Sequence, residues 1–308
     1  MHRSLLSVVL SGALLASFTP SPAAQAAKAR TFTSPDEAVK ALISVAKAGK
    51  VDDLLAIFGT NGKDLIASSD PATARKNREV FTVAAAERWR LVDAGSNKKT
   101  LVIGNEEWPF PVPLVKQADG WKFDAVAGKE EIIARRIGSN ELEAIETCRA
   151  YVTAQHRYAK DGHDGKPAGI YAATFRSDPG KQNGLYWPAP KGQKRSPLGD
   201  LLADAAVTGR QGTAQSDQPS PLNGYYFKIL TAQGSAASGG AKKYVVNGDM
   251  TRGFALVAWP ATYNVTGVMT FVVNQDGSVR EKDLGPGTDA AARAMTSYNP
   301  DASWHPVQ

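Results

Sequence analysis

Residues 224–284 constrain this chain more than any other stretch. They open with Gly224-Tyr225-Tyr226-Phe227-Lys228-Ile229-Leu230 and continue through Phe254-Ala255-Leu256-Val257-Ala258-Trp259-Pro260 and Val268-Met269-Thr270-Phe271-Val272-Val273. No other part is as dense in strand formers, and the Gly, Asn and Asp between the runs suit reversals. The pattern predicts four or five antiparallel strands in a meander. Leu256, Ala258, Phe271 and Val273 alternate onto one face, while Ala255, Val257, Trp259 and Val272 make the other face apolar too. A sheet apolar on both sides must be covered on both sides. The expected covers are a helix over 140–159 and the loops around Leu185-Tyr186-Trp187.

The 308 residues suffice for two domains of ordinary size. A hydrophobic content of 43% and a charged content of 21% place the chain among globular proteins and not disordered ones. The net charge of +6 comes from scattered clusters, Arg75-Lys76-Arg78, Lys98-Lys99, Arg135-Arg136 and Lys194-Arg195. A nucleic-acid groove would gather them, so no nucleic-acid partner is expected.

Arg3 precedes an apolar run from Leu5 to Phe18, then Pro20, Pro22 and Ala24-Gln25-Ala26. This order predicts a secretory signal peptide over 1–26, cleaved after Ala26 or at the alternative Ala27-x-Ala29 site. The run is too short to span a bilayer and no later segment approaches 18 continuous apolar residues, so the mature protein is expected to be periplasmic or secreted, without a transmembrane segment. The one cysteine, Cys148, recurs with Leu142, Ile145 and Val152 at helical spacing, which predicts an inert core thiol.

In the first half, Ser34-Pro35-Asp36-Glu37 is a capping box that opens a helix with Ala38, Leu42 and Val45 on one face. A short helix with Leu54, Leu55 and Phe58 follows, then a longer one from Asp70-Pro71 through Val80, Ala84 and Trp89. Strands are expected at 100–103 and 120–124. The run from Trp108 to Lys116, with Pro at 109, 111 and 113, reads as an edge strand or extended segment. From Lys129 the period is helical again, with a pause at Gly138-Ser139 and a restart at Asn140. Residues 161–222 are loop-rich, with one short helix from Ser196 to Ala205 and a linker from Gln215. Thr288 caps a last helix. The implied organisation is α+β: a small helix-plus-sheet domain over 30–128, then a helix-plus-antiparallel-sheet domain over 129–308 that carries the loop-rich insertion 161–222.

Several blocks together resemble the bacterial family of exported proteins named for domain of unknown function 2950. They are Trp108-Pro-Phe-Pro-Val-Pro-Leu-Val, Gly128-Lys-Glu-Glu-Ile, Arg136-Ile-Gly-Ser-Asn-Glu-Leu, Cys148-Arg-Ala-Tyr-Val, Gly184-Leu-Tyr-Trp-Pro, Gly224-Tyr-Tyr-Phe-Lys-Ile-Leu-Thr-Ala-Gln-Gly and Gly253-Phe-Ala-Leu-Val-Ala-Trp-Pro. The resemblance implies an exported bacterial protein and supplies no catalytic motif. The first half is similar in layout to the nuclear-transport-factor-2 fold. In the second half, a helix, a variable loop region and a meander ending in Asn274-Gln-Asp-Gly277 resemble the globular head of type II secretion pseudopilins. The departure from that pattern is a whole domain ahead of the helix where a pilin has a membrane-spanning segment.

Asp161-Gly162-His163-Asp164-Gly165 gathers a His and two carboxylates, but its spacing does not fit a calcium loop and it reads as a solvated turn. Cys148 and His156 are separated by about 12 Å of helical rise, beyond a nucleophile pair. No Gly-x-Ser-x-Gly elbow, phosphate loop, Gly-x-Gly-x-x-Gly after a strand or His-Glu-x-x-His occurs. Neither a metal nor a cofactor is expected. The adjacent acids Glu106-Glu107 and Glu130-Glu131 diverge and read as solvated. Aromatics remain: Tyr186, Trp187, Tyr226, Trp259 and Trp304 are the candidate partner-binding residues, with packing between sheet and helix as the competing role. The sequence thus points to a non-enzymatic envelope factor that binds a protein, peptide or glycan. The alternative is an envelope hydrolase whose site no linear motif reveals.

Overall fold

The computed structural model describes residues 28–66, 71–190, 192, 195–198 and 220–307. The leader over 1–26, most of the helix expected from Ser196 and most of the linker from Gln215 lie outside the described residues. The fold is α+β and divides into two compact units, one ending at Lys129 and one beginning at Glu130.

The first unit opens with the predicted capping box. The Ser34 hydroxyl accepts from the Glu37 N–H at 3.1 Å, and the Glu37 carboxylate accepts from the Thr33 N–H at 3.0 Å. Helix α1 (Pro35–Ala48) ends at Gly49, whose φ of 70° admits the left-handed cap that donates to Val45 and Ala46. It buries Ala38, Val39, Leu42 and Ala46. Helices α2 (Val51–Phe58), α3 (Lys63–Ile66) and α4 (Pro71–Glu87) follow, and α4 packs Phe81 on Phe110 at 5.3 Å. Val80 of α4 is 60% exposed, so Phe81, Ala84 and Ala85 turn inward in its place.

Helix α4 stops at Glu87, and Trp89 opens strand β1 (Trp89–Asp93) instead of extending the helix. Arg88 to Leu91 alternates polar and apolar with period two, but the run Ala84-Ala85-Ala86-Glu87 just before it carries a helical reading past its real end. Strand β1 pairs antiparallel with β2 (Lys98–Ile103), Trp89 opposite Ile103. β3 (Trp108–Pro109) and β4 (Leu114–Gln117) both pair with β2, and β5 (Gly120–Phe123) closes the order β1-β2-β4-β5. Gly120 has φ 128° and its Cα lies against the Phe32 carbonyl, where any Cβ would sit 2.5 Å from that oxygen. The Phe32–Trp121 bridge requires this close approach.

Helix α5 (Ala125–Ala159) is a single run of 35 residues; the expected pause at Gly138-Ser139 is absent. Strong helix formers on both sides absorb the glycine penalty of about 1 kcal/mol. From Ala144 on, the helix buries Ala144, Ile145, Cys148, Tyr151, Ala154, Gln155 and Tyr158 at spacings of three and four. Leu142, expected on the Cys148 face, is 66% exposed.

The main sheet of the second unit has the order β15-β13-β12-β11-β6, all antiparallel: β6 (Tyr225–Leu230), β11 (Ala255–Pro260), β12 (Met269–Asn274), β13 (Arg280–Asp283) and β15 (His305–Pro306). Between β6 and β11 lie β7 (Ala232–Gln233), β8 (Lys242–Lys243), β9 (Val245–Val246) and β10 (Asp249–Met250). Strand β14 (Ser297–Tyr298) pairs parallel with β7. Helix α6 (Thr288–Ala294) precedes it; Gly287, not Thr288, holds its cap position.

One face of the sheet meets α5, as expected. The Glu141 carboxylate accepts from the Val268 and Met269 N–H groups at 2.8 and 2.9 Å, and the Tyr151 hydroxyl donates to the Ala255 carbonyl at 3.2 Å. The opposite face is covered by α6, not by the loops around Trp187. The Trp259 indole donates to Asp289 at 2.9 Å, and the Lys228 ammonium donates to the Met295 carbonyl at 2.7 Å, capping the C-terminal end of α6. Burial, with the nearby Arg293 charge second, holds the Lys228 pKa below its usual value. Trp187 packs at the end of α5, where it meets His163 at 5.7 Å and His163 stacks on Tyr158 at 4.1 Å. The last helix, short and weakly patterned, gives little sign in sequence that it holds the second face.

Two variants test this packing. Trp187 is 5% exposed, so Trp187→Ala should lower unfolding stability by about 3–5 kcal/mol, read from a denaturant midpoint. Gly138 is helical, and a Cβ at that position would meet nothing within 4 Å, so Gly138→Ala should raise stability by about 0.4–1 kcal/mol; a loss would mean that the helix does break there.

Candidate functional site

The five aromatic candidates divide by burial. Trp187, Trp259 and Trp304 are buried, and Tyr186 and Tyr226 are half-buried. Tyr226 and Trp259 meet at 5.8 Å, with the Arg293 guanidinium over both rings. Tyr186 lies beneath Arg176 at 4.8 Å. These pairings put aromatic area into packing and cation–π contacts.

The other sequence candidates sit in separate places. Cys148 is fully buried, and desolvation pushes its thiol up to about 12. His156 is exposed, with its ring edge-on to Phe254 at 5.3 Å. In the Asp161 to Gly165 turn, the Asp164 carboxylate accepts from the Gln182 N–H at 2.9 Å, so it pins a loop. Among the described residues no three His, Cys, Asp or Glu side chains are grouped to hold a metal ion. No helix among them is long and apolar enough to cross a membrane.

The cleft with the most chemistry lies in the second unit. It encloses about 300 Å³ and is bounded by three segments: 236–238, the β12–β13 turn from Asn274 to Arg280, and 298–302. The turn is shaped by its own side chains. Asn274 donates to the Asp276 carboxylate at 3.1 Å and accepts from the Asp276 N–H at 3.2 Å, and Gly277 at φ 77° supplies the left-handed step. The facing loop is held by a buried glutamine. Gln233 donates through Nε2 to the Ser238 and Gly240 carbonyls at 2.8 and 2.6 Å and accepts from the Tyr244 hydroxyl at 3.0 Å. The Asn299 side chain accepts from the Ala236 N–H at 2.8 Å. All three walls are therefore fixed before any ligand arrives.

The charges in the cleft are of both signs. Arg280 donates to the Trp304 carbonyl at 3.4 Å and lies within reach of the Tyr298 hydroxyl. Burial raises the Tyr298 pKa; Arg280 opposes that shift and Asp276 adds to it, so both charges act on the same hydroxyl. Asp301 accepts from the Ser303 hydroxyl and, at 2.9 Å, from the Ser303 N–H, which holds its carboxyl below the usual range. Among the described residues no ion pair joins Arg280 to Asp276 or Asp301. On the other side of 295–300 a second cleft of about 290 Å³ has Val272, Met295 and Trp304 in its lining, which places Trp304 beside the site.

Sequence reasoning missed Arg280, Asp276, Asp301 and Tyr298. The available signals were two turn sequences, Asn274-Gln-Asp-Gly277 and Tyr298-Asn-Pro-Asp301, and nothing in either shows that they meet.

Burial of Cys148 has a direct chemical consequence. At about pH 8 its thiolate fraction is roughly a thousandfold below that of an ordinary thiol, so iodoacetamide should leave the native protein unmodified and alkylate it fully in denaturant. Mass spectrometry of the two samples checks this.

No curated protein and no solved structure matches the chain. Residues 29–307 match the family described as Protein of unknown function (DUF2950). The match spans both units, and the chain belongs to the DUF2950 family.

Proposed function

We propose that the protein is an exported cell-envelope binding or assembly factor that acts without catalysis, through the cleft between 236–238, 274–280 and 298–302. The pre-formed walls carry this reading. A pocket whose loops are already pinned by Gln233, Asn274 and Asn299 loses little conformational entropy when a ligand enters. Its volume lies at the small end of ligand pockets, about 300–1,000 Å³. The Arg3 to Ala26 leader supports an address in the periplasm or outside the cell. The order of helix, loops and meander, similar in layout to a pseudopilin head, adds support for an assembly role.

The hydrolase alternative draws on one observation, the two carboxylates Asp276 and Asp301 in a single cleft. Such chemistry needs one protonated and one ionised carboxyl, and Asp301, held low by Ser303, suits only the ionised role. The binding reading is preferred because its support, the three pinned walls, does not depend on a proton on either acid.

A thermal-shift screen over sugars, amino acids, short peptides and nucleotides tests it. At least one class should stabilise the native protein, and Ser238→Arg, which fills the cleft from an exposed position, should remove that shift while keeping its own melting temperature. Equal stabilisation of both proteins would refute the cleft. Turnover of a glycan or peptide that Asp276→Asn abolishes would refute the non-catalytic reading. N-terminal sequencing of protein from the periplasmic fraction should begin at Ala27; retention of Arg3 would refute export by leader cleavage.

A further inference from the structure

Resting on the binding reading above, we propose that the cleft takes a small zwitterion: a free amino acid or short peptide whose ammonium and carboxylate both enter it. Two opposite charges in the cleft do not neutralise each other. Arg280 and Asp276 line one cleft, each acts on the Tyr298 hydroxyl, and among the described residues no ion pair joins them. Asp301 adds a second anion, kept ionised by Ser303.

Arg280 stays positioned because its guanidinium donates to the Trp304 carbonyl, and Asp276 because Asn274 holds its carboxylate at 3.1 Å. A ligand that brings the missing partner for each charge gains on both. A simple anion finds Arg280 but meets Asp276 and Asp301; a simple cation finds the carboxylates but meets Arg280. This is selectivity by both attraction and repulsion. Nucleotides and other polyanions are disfavoured by the same two carboxylates.

Size narrows the ligand further. About 300 Å³ suits one or two amino-acid residues. Only in so short a ligand do both ends enter the same cleft, since the termini of a long peptide lie far apart. Ala237 and Pro300 in the lining give a small side chain an apolar contact.

Isothermal titration of the full-length mature protein with L-alanine, L-alanyl-L-alanine and tri-L-alanine tests the proposal and separates amino acid from peptide. At least one should bind saturably. N-acetylation or C-amidation of the best binder should weaken it by about tenfold or more, because either change leaves one cleft charge without its partner. Asp276→Asn should remove discrimination against the acetylated form, and Arg280→Gln that against the amide. The first variant is isosteric, so the test survives if the second unfolds. Binding that ignores both blocking groups overturns the proposal, as does no binding by any of the three at millimolar concentration. If none binds while another compound class gives a shift that Ser238→Arg abolishes, the zwitterion is wrong and the binding reading stands. If no class gives such a shift, the binding reading falls with it.

Discussion

Strand β11 buries all six of its residues, and this sets the requirements that the rest of the second unit meets. Its neighbours β6 and β12 satisfy its backbone groups, so neither edge is open. Its faces are then the remaining problem, since Leu256 and Ala258 point one way and Val257 and Trp259 the other. Helix α5 takes the first face and α6 the second. At about 25 cal/mol per Å² of apolar surface, each covered face is worth far more than any single hydrogen bond at its rim. Hydrogen bonds instead fix where each cover sits: Glu141 and the buried Tyr151 place α5, and Asp289 with Lys228 places α6.

Much of the unit's irregular chain is held by buried amides in the same way. Gln155 bonds the backbone of Ala172 in both directions, at 2.8 and 2.9 Å, which is what a neighbouring strand would do for that residue. Gln233 holds 238–240 by donation alone, to the Ser238 and Gly240 carbonyls, while its oxygen accepts from Tyr244. A buried polar side chain is tolerable only with its partners present, so each of these glutamines ties a loop to one position.

What the sequence revealed follows from how local each cause is. The α1 capping box acts within four residues and is plain in the sequence. The meander is equally plain because its alternation persists across whole strands. Strand β1 was hidden because helix formers run up to Arg88, and only the pairing of Trp89 with Ile103 decides the boundary. Gly138 suggested a break because its intrinsic cost is visible, whereas the cooperative gain of continuing α5 is not. The choice of α6 over the Trp187 loops as the second cover was tertiary throughout. The cleft was the least legible feature, since its walls come from three separated segments and its key residues are ordinary polar side chains.

The position of the cleft follows from the same constraint that shapes the sheet. Once α6 has covered the second face, the chain must return across the sheet from Met295 to reach β15, the edge strand beside β13. On the way it pairs as β14 with β7 and turns at Pro300, which lines both clefts. Tyr298, Pro300 and Trp304 are buried along this crossing, while Asn299 and 301–303 are exposed. The cleft beside the turn is bounded by the β12–β13 reversal as well, where Asp276 and Arg280 belong to the turn and the strand it starts. The mixed charge of the cleft is thus a product of where a β-turn meets a returning tail, and changes at Asp276 or Ser238 can alter its chemistry without disturbing β11 or either of its covers.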